Sequence, residues 1–597
     1  MRTFEFLIPL TLAIYLLWPL FSGKENPFLV NFLSVVAVVE VVAHLLFEGY
    51  RWQMIPIYIL VGMFLLTTVS ELRQPIIGEY ERKSWSTIGM IGIFIILLGS
   101  TILLVLLPVP TIPMPNGKYE VGIQTFELTD ESRLELYSEN NDEPRKFIIT
   151  VWYPAKPEPE GKRAPWMDHA AYYGRAIAKA FGFPAFVLDH LSLIKSPAWQ
   201  DAPVNPSRDG YPVIFFSHAW KGIAAQNTGQ VVELVSNGFV VVAIQHTYGS
   251  AATVFPDGEI VYYNPSSFPG DVPEPEYTLS AQKLASQWAE DISFSLDFMI
   301  DQNQNPVSSF YTTLNTTDIG VFGHSAGGAA AIQFCNTDPR CSAVLAMDPL
   351  MVSVSRQVLN TGLSQNALFM FSQEWIEDIG SRNNRTFKQF FEKTGSLSHV
   401  IEILGTIHSD FTDLPLLSPF AHQLGLKGSI NRDRLNEIIN SYTYIFFYQT
   451  LENPTFDLYS GLSPEPEVVR LDNLRKLVYP RRIVLPGGQE FNLGEGDIRN
   501  DKWVPLSAEW LSGTEISRWV ALPWSSELEE VIKGIEPGDQ IELTMSNSDV
   551  VMFQVYSIQR MTMNELMSSE ATKPSLLVML YDDQNKDEAY WVITAFP

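Results

Sequence analysis

Four long apolar runs open the chain: Phe4–Phe21, Phe28–Phe47, Gln53–Ser70 and Ile88–Leu107. Each is near the ~20 residues that a helix needs to cross a bilayer, so residues 1–110 read as a transmembrane region of four helices. In the second run Glu40 and His44 stand four apart, on one helix face. An ionisable pair at that depth is a functional candidate by default, but packing against the other helices, or snorkelling of Glu48 and its neighbours, is the favoured account. The first run follows Arg2, but Pro19-Leu20-Phe21-Ser22-Gly23 holds no small-x-small cleavage site. It reads as a retained anchor.

After the proline-rich exit Pro108–Pro115 the pattern shortens. Phe147–Tyr153, Pro212–Phe216, Phe239–Ile244, Asp318–Phe322, Ala343–Met347 and Ala367–Phe371 read as strands. Gln226–Ser236, Gln287–Ile300 and Asn431–Leu451 have helical spacing. Strands alternating with helices predict an α/β fold, a doubly wound and mostly parallel sheet covered on both faces. Pro454, Gly461, Pro464 and Pro466 mark residues 453–468 as a linker. Beyond it the pattern turns β-rich, with strands at Ile541–Met545, Val550–Tyr556, Leu576–Tyr581 and Tyr590–Phe596, and Trp503, Trp510 and Trp524 look exposed. The expected organisation is therefore 1–110 membrane, 111–452 α/β domain, 453–468 linker and 469–597 a small β-barrel-like domain.

Charge narrows the partners. The chain has 40 basic and 67 acidic residues among 597, a net charge of −27. Nearly all of the excess lies beyond residue 110. Phosphate binding needs a basic face, so nucleic acid is excluded as a partner, and so is docking on anionic lipid by charge alone. The expected partners are the bilayer and a lipid or small ester substrate. Lys24, Arg73, Arg82 and Lys83 fall on one side of the membrane, and Arg2, Arg51 and Lys118 on the other. The Arg82–Lys83 cluster beside the fourth run assigns its side to the cytoplasm and the soluble part to the outside. The expected protein is a multi-pass component of a bacterial plasma membrane. Cys335 and Cys341 are the only cysteines. They suit either a short disulfide or two buried thiols.

The chemistry sits in Asp318-Ile319-Gly320-Val321-Phe322-Gly323-His324-Ser325-Ala326-Gly327-Gly328. Gly323-His324-Ser325-Ala326-Gly327 fits G-x-S-x-G between a buried strand and an Ala-rich helix, the nucleophile elbow. The turn lifts the hydroxyl above the sheet, the glycines allow close strand–helix packing, and the helix N-terminus favours a developing oxyanion. A serine needs a base, and the base an orienting carboxylate, in the order Ser, Asp/Glu, His. Asp348 ends a strand, where open α/β sheets place their sites; Glu374, after the next strand, is the alternative. Of His399, His408 and His422, the histidines after Asp348, His408 sits in a loop of the right kind, Gly405-Thr406-Ile407-His408-Ser409-Asp410-Phe411.

Residues ~115–452 resemble the platelet-activating factor acetylhydrolase family (plasma and type II forms), a branch of the α/β-hydrolases. The resemblance is carried by Val151-Trp152-Tyr153-Pro154-Ala155, Phe216-Ser217-His218-Ala219-Trp220-Lys221-Gly222, the elbow, and His408-Ser409-Asp410-Phe411-Thr412-Asp413. It implies a triad of Ser325, Asp348 and His408, an oxyanion hole from the backbone N–H groups of Trp220 and Ala326, and no metal or cofactor. Ala219 stands where the family usually has glycine, a strained choice if φ is positive there. His246 follows a strand end in a region that borders the pocket in that family, which makes it a candidate wall residue. The last unit resembles a sortase barrel in Ile535-Glu536-Pro537-Gly538-Asp539-Gln540-Ile541 and Trp591-Val592-Ile593-Thr594-Ala595. No cysteine or histidine follows His422, so an inert accessory unit is expected. The expectation is a membrane-anchored serine esterase acting on short or oxidised acyl esters. The alternative is a membrane scaffold with a retained hydrolase fold.

Overall fold

A computed structural model describes residues 2–22, 27–72, 87–140, 142–158, 160–378, 380–395, 397–452, 465–471, 479–496, 498–499, 502–503, 505, 507–511, 517–546, 550–567, 575–582 and 589–597. Most of the expected linker, and Lys24, Arg73, Arg82 and Lys83, lie outside these residues. Compactness divides the chain into two units. The first is Met1–Val354, Gln365–Ser372 and Ile403–Val468; the second is Ser355–Ser364, Gln373–Glu402 and Val469–Pro597.

The first unit begins with helices α1 (Thr3–Ser22), α2 (Pro27–Ala43), α3 (Ile55–Leu72) and α4 (Thr87–Leu106). Three described stretches are long and apolar enough to cross a membrane: Asn31–Glu48, Trp52–Ser70 and Ile88–Leu106. The apolar helix Thr3–Trp18 is shorter, so length supports three of the four expected spans. Ile8, Leu12, Met54, Ile57, Phe64 and Leu104 are buried between the helices, and Tyr15 stacks on Phe64 with ring centroids 4.3 Å apart. Glu40 accepts from the Thr11 hydroxyl at 3.0 Å, and His44 Nδ1 lies 3.0 Å from the Tyr58 hydroxyl. Both residues of the ionisable pair thus bond to neighbouring helices. Arg51 pairs with Glu5 at 2.7 Å with both side chains enclosed, as buried charges must.

The helices are pinned to the domain that follows. Trp52 Nε1 donates to the Val187 carbonyl at 3.2 Å, its ring meets Phe186 edge-on at 5.1 Å, and Ser418 Oγ donates to the carbonyl of Leu106, the last residue of α4.

The sheet of this domain uses β1 (Glu120–Leu134), β2 (Pro144–Ala155), β3 (Arg163–Pro165), β4 (Lys195–Gln200), β5 (Tyr211–Ser217), β6 (Val240–Gln245), β9 (Leu314–His324), β10 (Cys341–Met347) and β11 (Asn366–Ser372). The strands β7 (Ala252–Val254) and β8 (Ile260–Tyr262) form a separate hairpin. Among these strands the order runs β11-β10-β9-β5-β6-β2-β1-β4-β3, with further strands beyond β11. From β6 to β11 the pairings are parallel, whereas β2 runs antiparallel to both β6 and β1. The sheet is therefore mixed, with a parallel half that carries the elbow. Every residue of β5 and β6 is buried, as continuous apolar strands of a doubly covered sheet must be. The helices α5 (Ala170–Ala180), α6 (Thr228–Ser236), α7 (Glu276–Gln304) and α8 (Ala326–Thr337) belong to this domain. Of α7 the sequence predicts only Gln287–Ile300, because its first turns bury mostly small or polar residues, Thr278, Ala281 and Ala285, with Leu284 the one large apolar side chain among them. Cys335 and Cys341 form a disulfide joining the end of α8 to β10.

The second unit holds a strongly curved, barrel-like sheet with nine strands among the described residues. Val520, Leu522, Ile541, Leu543, Phe553 and Ile593 fill one side; Trp503, Trp519, Met579, Tyr581 and Val592 form a second cluster. Trp503 and Trp510 are thus buried rather than exposed, whereas Trp524 is exposed. Period-2 alternation alone does not reveal burial when both faces of a strand are covered.

Candidate active site

The β9 strand runs straight to His324, and Ser325 then takes φ 58°, ψ −118° before α8 begins. A non-glycine residue there costs on the order of 1–3 kcal/mol and persists only when its surroundings force it. The forcing is visible. The Ser325 N–H donates to the Met347 carbonyl at 3.0 Å, and the Leu350 N–H donates to the Ser325 carbonyl at 3.0 Å. A Cβ on Gly323 would strike the backbone of Gly327, and one on Gly327 would strike the Ser217 and His218 carbonyls. Helix, strand and the loop after β5 thus approach more closely than any side chain allows.

Asp348 follows β10 directly and is fully buried. Its Oδ1 accepts the Ser372 N–H at 2.8 Å. Its Oδ2 accepts the Ser372 hydroxyl at 2.6 Å and lies 3.1 Å from His408 Nδ1. Burial pushes this carboxyl up, against the pull of His408 and Ser372. An ionised Asp348 only accepts, so His408 Nδ1 carries the proton and Nε2 is left as an acceptor. The His408 ring lies 4.4 Å from that of His324, the residue before Ser325, which brings the imidazole to the elbow. His408 is 35% exposed and Ser325 half-buried. The Ser325 hydroxyl has no hydrogen bond among the described residues; catalytic hydrogen bonds of this kind tighten when substrate binds. Glu374 is exposed on the short helix Gln373–Glu377.

The His408 loop is clamped from below. Asp413 accepts the Thr228 N–H at 2.7 Å and the Gly229 N–H at 3.3 Å, at the N-terminus of α6, and Asn227 Nδ2 donates to the Phe411 carbonyl at 2.6 Å. In the sequence Asp413 stands within the His408 motif with nothing to mark its role, and Ser372, one residue past an expected strand, carries no signal of its own.

Trp220 lies in the loop after β5 and Ala326 opens α8. Neither backbone N–H donates to an acceptor among the described residues. Ala219 is not in the left-handed region; Lys221 is, at φ 59°, so the strain expected at 219 falls two residues later. Trp220 packs edge-on to Phe268 at 5.2 Å, and the Lys221 ammonium sits 4.3 Å from the Trp220 ring centroid. His246, the candidate wall residue, is fully buried beneath this loop, with interior partners Ser217 and Asp291.

A profile of the family described as platelet-activating factor acetylhydrolase, isoform II, matches residues 107–259 and 289–462, more than half of the chain. The chain belongs to that family. Among curated members and relatives, the platelet-activating factor acetylhydrolase of Cavia porcellus is 24% identical over 378 residues, covering 59% of this chain and 81% of its own length. A probable 1-alkyl-2-acetylglycerophosphocholine esterase of Arthroderma benhamiae is 23% identical over 387 residues, covering 60% and 94%. A solved ferulic acid esterase from Streptomyces cinnamoneus superposes with a TM-score of 0.50 at 22% identity, over 61% of this chain and 99% of that one. It supports the α/β-hydrolase fold. By its family the chain is a carboxylic ester hydrolase.

Proposed function

We propose that this acetylhydrolase-family chain is a membrane-anchored serine esterase that removes short or oxidised acyl groups, including the sn-2 acetyl group of platelet-activating-factor-like phospholipids. His408 Nε2 takes the Ser325 proton as Ser325 Oγ attacks the ester carbonyl. The oxyanion forms against the N–H groups of Trp220 and Ala326. As the carbon–oxygen bond to the alcohol breaks, His408 returns the proton to the leaving oxygen. Water then repeats the sequence on the acyl-enzyme and releases the acid. Asp348 fixes the His408 tautomer and stabilises the imidazolium that forms in each transition state. None of these steps calls for a cofactor. The aromatic rings of Trp220 and Phe268 suit an apolar part of the substrate. The observation that carries the reading is the 3.1 Å Asp348–His408 bond, made beside a strained serine at a strand-to-helix turn.

The C-terminal unit is an accessory to this chemistry. Where a sortase would carry its thiolate, the strand reads Met579-Leu580-Tyr581.

A fluorophosphonate probe tests the core of the proposal. It labels the full-length protein and fails on Ser325→Ala, whose kcat falls by at least about 10³-fold. Equal labelling of both proteins would move the nucleophile elsewhere.

A further inference from the structure

Beneath the loop that carries Trp220 lies a chain of hydrogen bonds that the proposed catalytic steps do not use. Asp291 is fully buried between two guanidinium groups. Arg145 reaches it from Nε at 3.1 Å and Nη2 at 2.6 Å, and Arg133 from Nη2 at 3.0 Å. Burial opposes the charge on Asp291, but the arginines and His246 hold its carboxyl far below the usual range. It is therefore ionised and only accepts. His246 Nδ1, 2.9 Å from Asp291 Oδ2, must be the donor. Burial depresses the basicity of His246, against the pull of Asp291, so its Nε2 is bare and accepts the Ser217 hydroxyl at 2.9 Å. The His246 backbone N–H in turn donates to His218 Nε2 at 3.2 Å. That leaves the proton of His218 on Nδ1, which lies 2.7 Å from the Ala219 carbonyl oxygen. Burial and the neighbouring His246 push the basicity of His218 down to about 3. Trp288 stacks on His246 at 4.3 Å with the rings 4° from parallel, and meets His218 edge-on at 5.1 Å. Both histidine rings are fully buried.

Ser217, His246 and Asp291 repeat the pairings of a catalytic triad, but all three are fully buried, so no substrate reaches them. The use of the chain lies at its far end. The Ala219 carbonyl accepts from His218 Nδ1 and from the Gly222 N–H at 2.8 Å. In a trans peptide the C=O and the next N–H point in opposite directions. Two donors that hold the Ala219 oxygen on one side therefore turn the Trp220 N–H to the other, where it meets no acceptor among the described residues.

We infer that His218 and His246, anchored on Asp291, are positioning residues that aim the Trp220 amide at the oxyanion. The inference rests on the serine-esterase reading and adds to it a buried relay that sets one donor of the hole.

The test uses full-length protein in detergent. His218→Phe removes both polar contacts, whereas His218→Asn keeps a donor near the place of Nδ1. Losing one oxyanion donor costs about 10²–10³-fold in kcat. His218→Phe is expected to lose that much on p-nitrophenyl butyrate with KM changed less than threefold, and to weaken a trifluoromethyl ketone, which mimics the tetrahedral intermediate, by a similar factor. His218→Asn is expected to recover at least tenfold of the loss. An unchanged ketone affinity, or an Asn variant no better than Phe, overturns the inference. Should His218→Phe not fold, nitrogen-15 histidine spectra of the wild-type protein decide. His218 is expected to stay neutral with its proton on Nδ1 from pH 5 to 9. A proton on Nε2, or a titration near pH 6.5, overturns the inference. Fluorophosphonate labelling separates the two readings: if Ser325 is not labelled in the wild-type protein, the esterase proposal fails; if it is labelled and the His218 variants behave normally, only the relay fails.

Discussion

Asp348 is held in place by a residue outside the proposed triad. The amide and hydroxyl of Ser372 occupy both of its oxygens, leaving one lone pair of Oδ2 aimed at His408. The carboxyl is raised by burial, so the folded protein holds its proton to higher pH than the unfolded chain. Stability from this group is therefore present at low pH and is lost as pH rises past the unfolded value. Asp348→Asn removes that loss along with the orientation of His408. The variant is expected to lose about 10⁴-fold in kcat, with KM little changed, while its melting temperature at pH 8 stays at or above that of the wild type. A variant with near-normal kcat would shift the acid role to Glu374. Ser325, Asp348 and His408 were legible in the sequence because each sits in a local pattern: the elbow, a strand end, a short loop. Ser372 and the His218–His246–Asp291 chain were not, because their meaning lies in contacts across as many as 45 residues of sequence.

At the scale of elements, the His408 loop lies outside any strand and is fixed on the N-terminus of α6. Burial pushes Asp413 up to about 7, against the N–H bonds of Thr228 and Gly229, from an ordinary value of 3.8. The folded state again holds the extra proton, so this group's contribution to stability falls as pH rises from about 4 to about 7. Asp413→Asn is expected to gain stability relative to the wild type between pH 5 and pH 8, as followed by thermal melts. A difference that shrinks with rising pH would reverse the assignment. The strands β5, β6, β10 and β11 were legible within a residue or two because each is a continuous apolar run, whereas β9 begins at Leu314, four residues before the expected Asp318, through the polar Asn315-Thr316-Thr317. The β1–β2 ladder, α5 and the turn Ala185–Leu193 were less legible. β1 alternates irregularly, with a register break between Asp130 and Leu134, and α5 buries mainly Ala and Gly beside Tyr173.

At the scale of the molecule, compactness groups Ser355–Ser364 and Gln373–Glu402 with Val469–Pro597, a partition that hydropathy does not betray because the two short segments alternate along the chain with stretches of the first unit. Deleting residues 469–597 is expected to leave kcat on a small soluble ester within about threefold, a barrier change under ~1 kcal/mol. In the same protein, hydrogen exchange should quicken across 373–402. A hundredfold loss of kcat in a folded deletion protein would give the unit a share in the active site. The disulfide between Cys335 and Cys341 suits an oxidising compartment. A phosphatase reporter fused after Lys118, which works only outside the cytoplasm, is expected to be active. A silent reporter there would reverse the orientation.

The two pins between the hydrolase and the N-terminal apolar helices, at Trp52 with Val187 and at Ser418 with Leu106, tie the domain directly to those helices. On the anchored reading, its mouth samples one depth and one tilt, and its supply of substrate is two-dimensional. The rate then follows the mole fraction of substrate in the surface rather than its amount per litre. Diluting the substrate with inert lipid slows such an enzyme at constant bulk concentration, while adding more vesicles of the same composition does not speed it up.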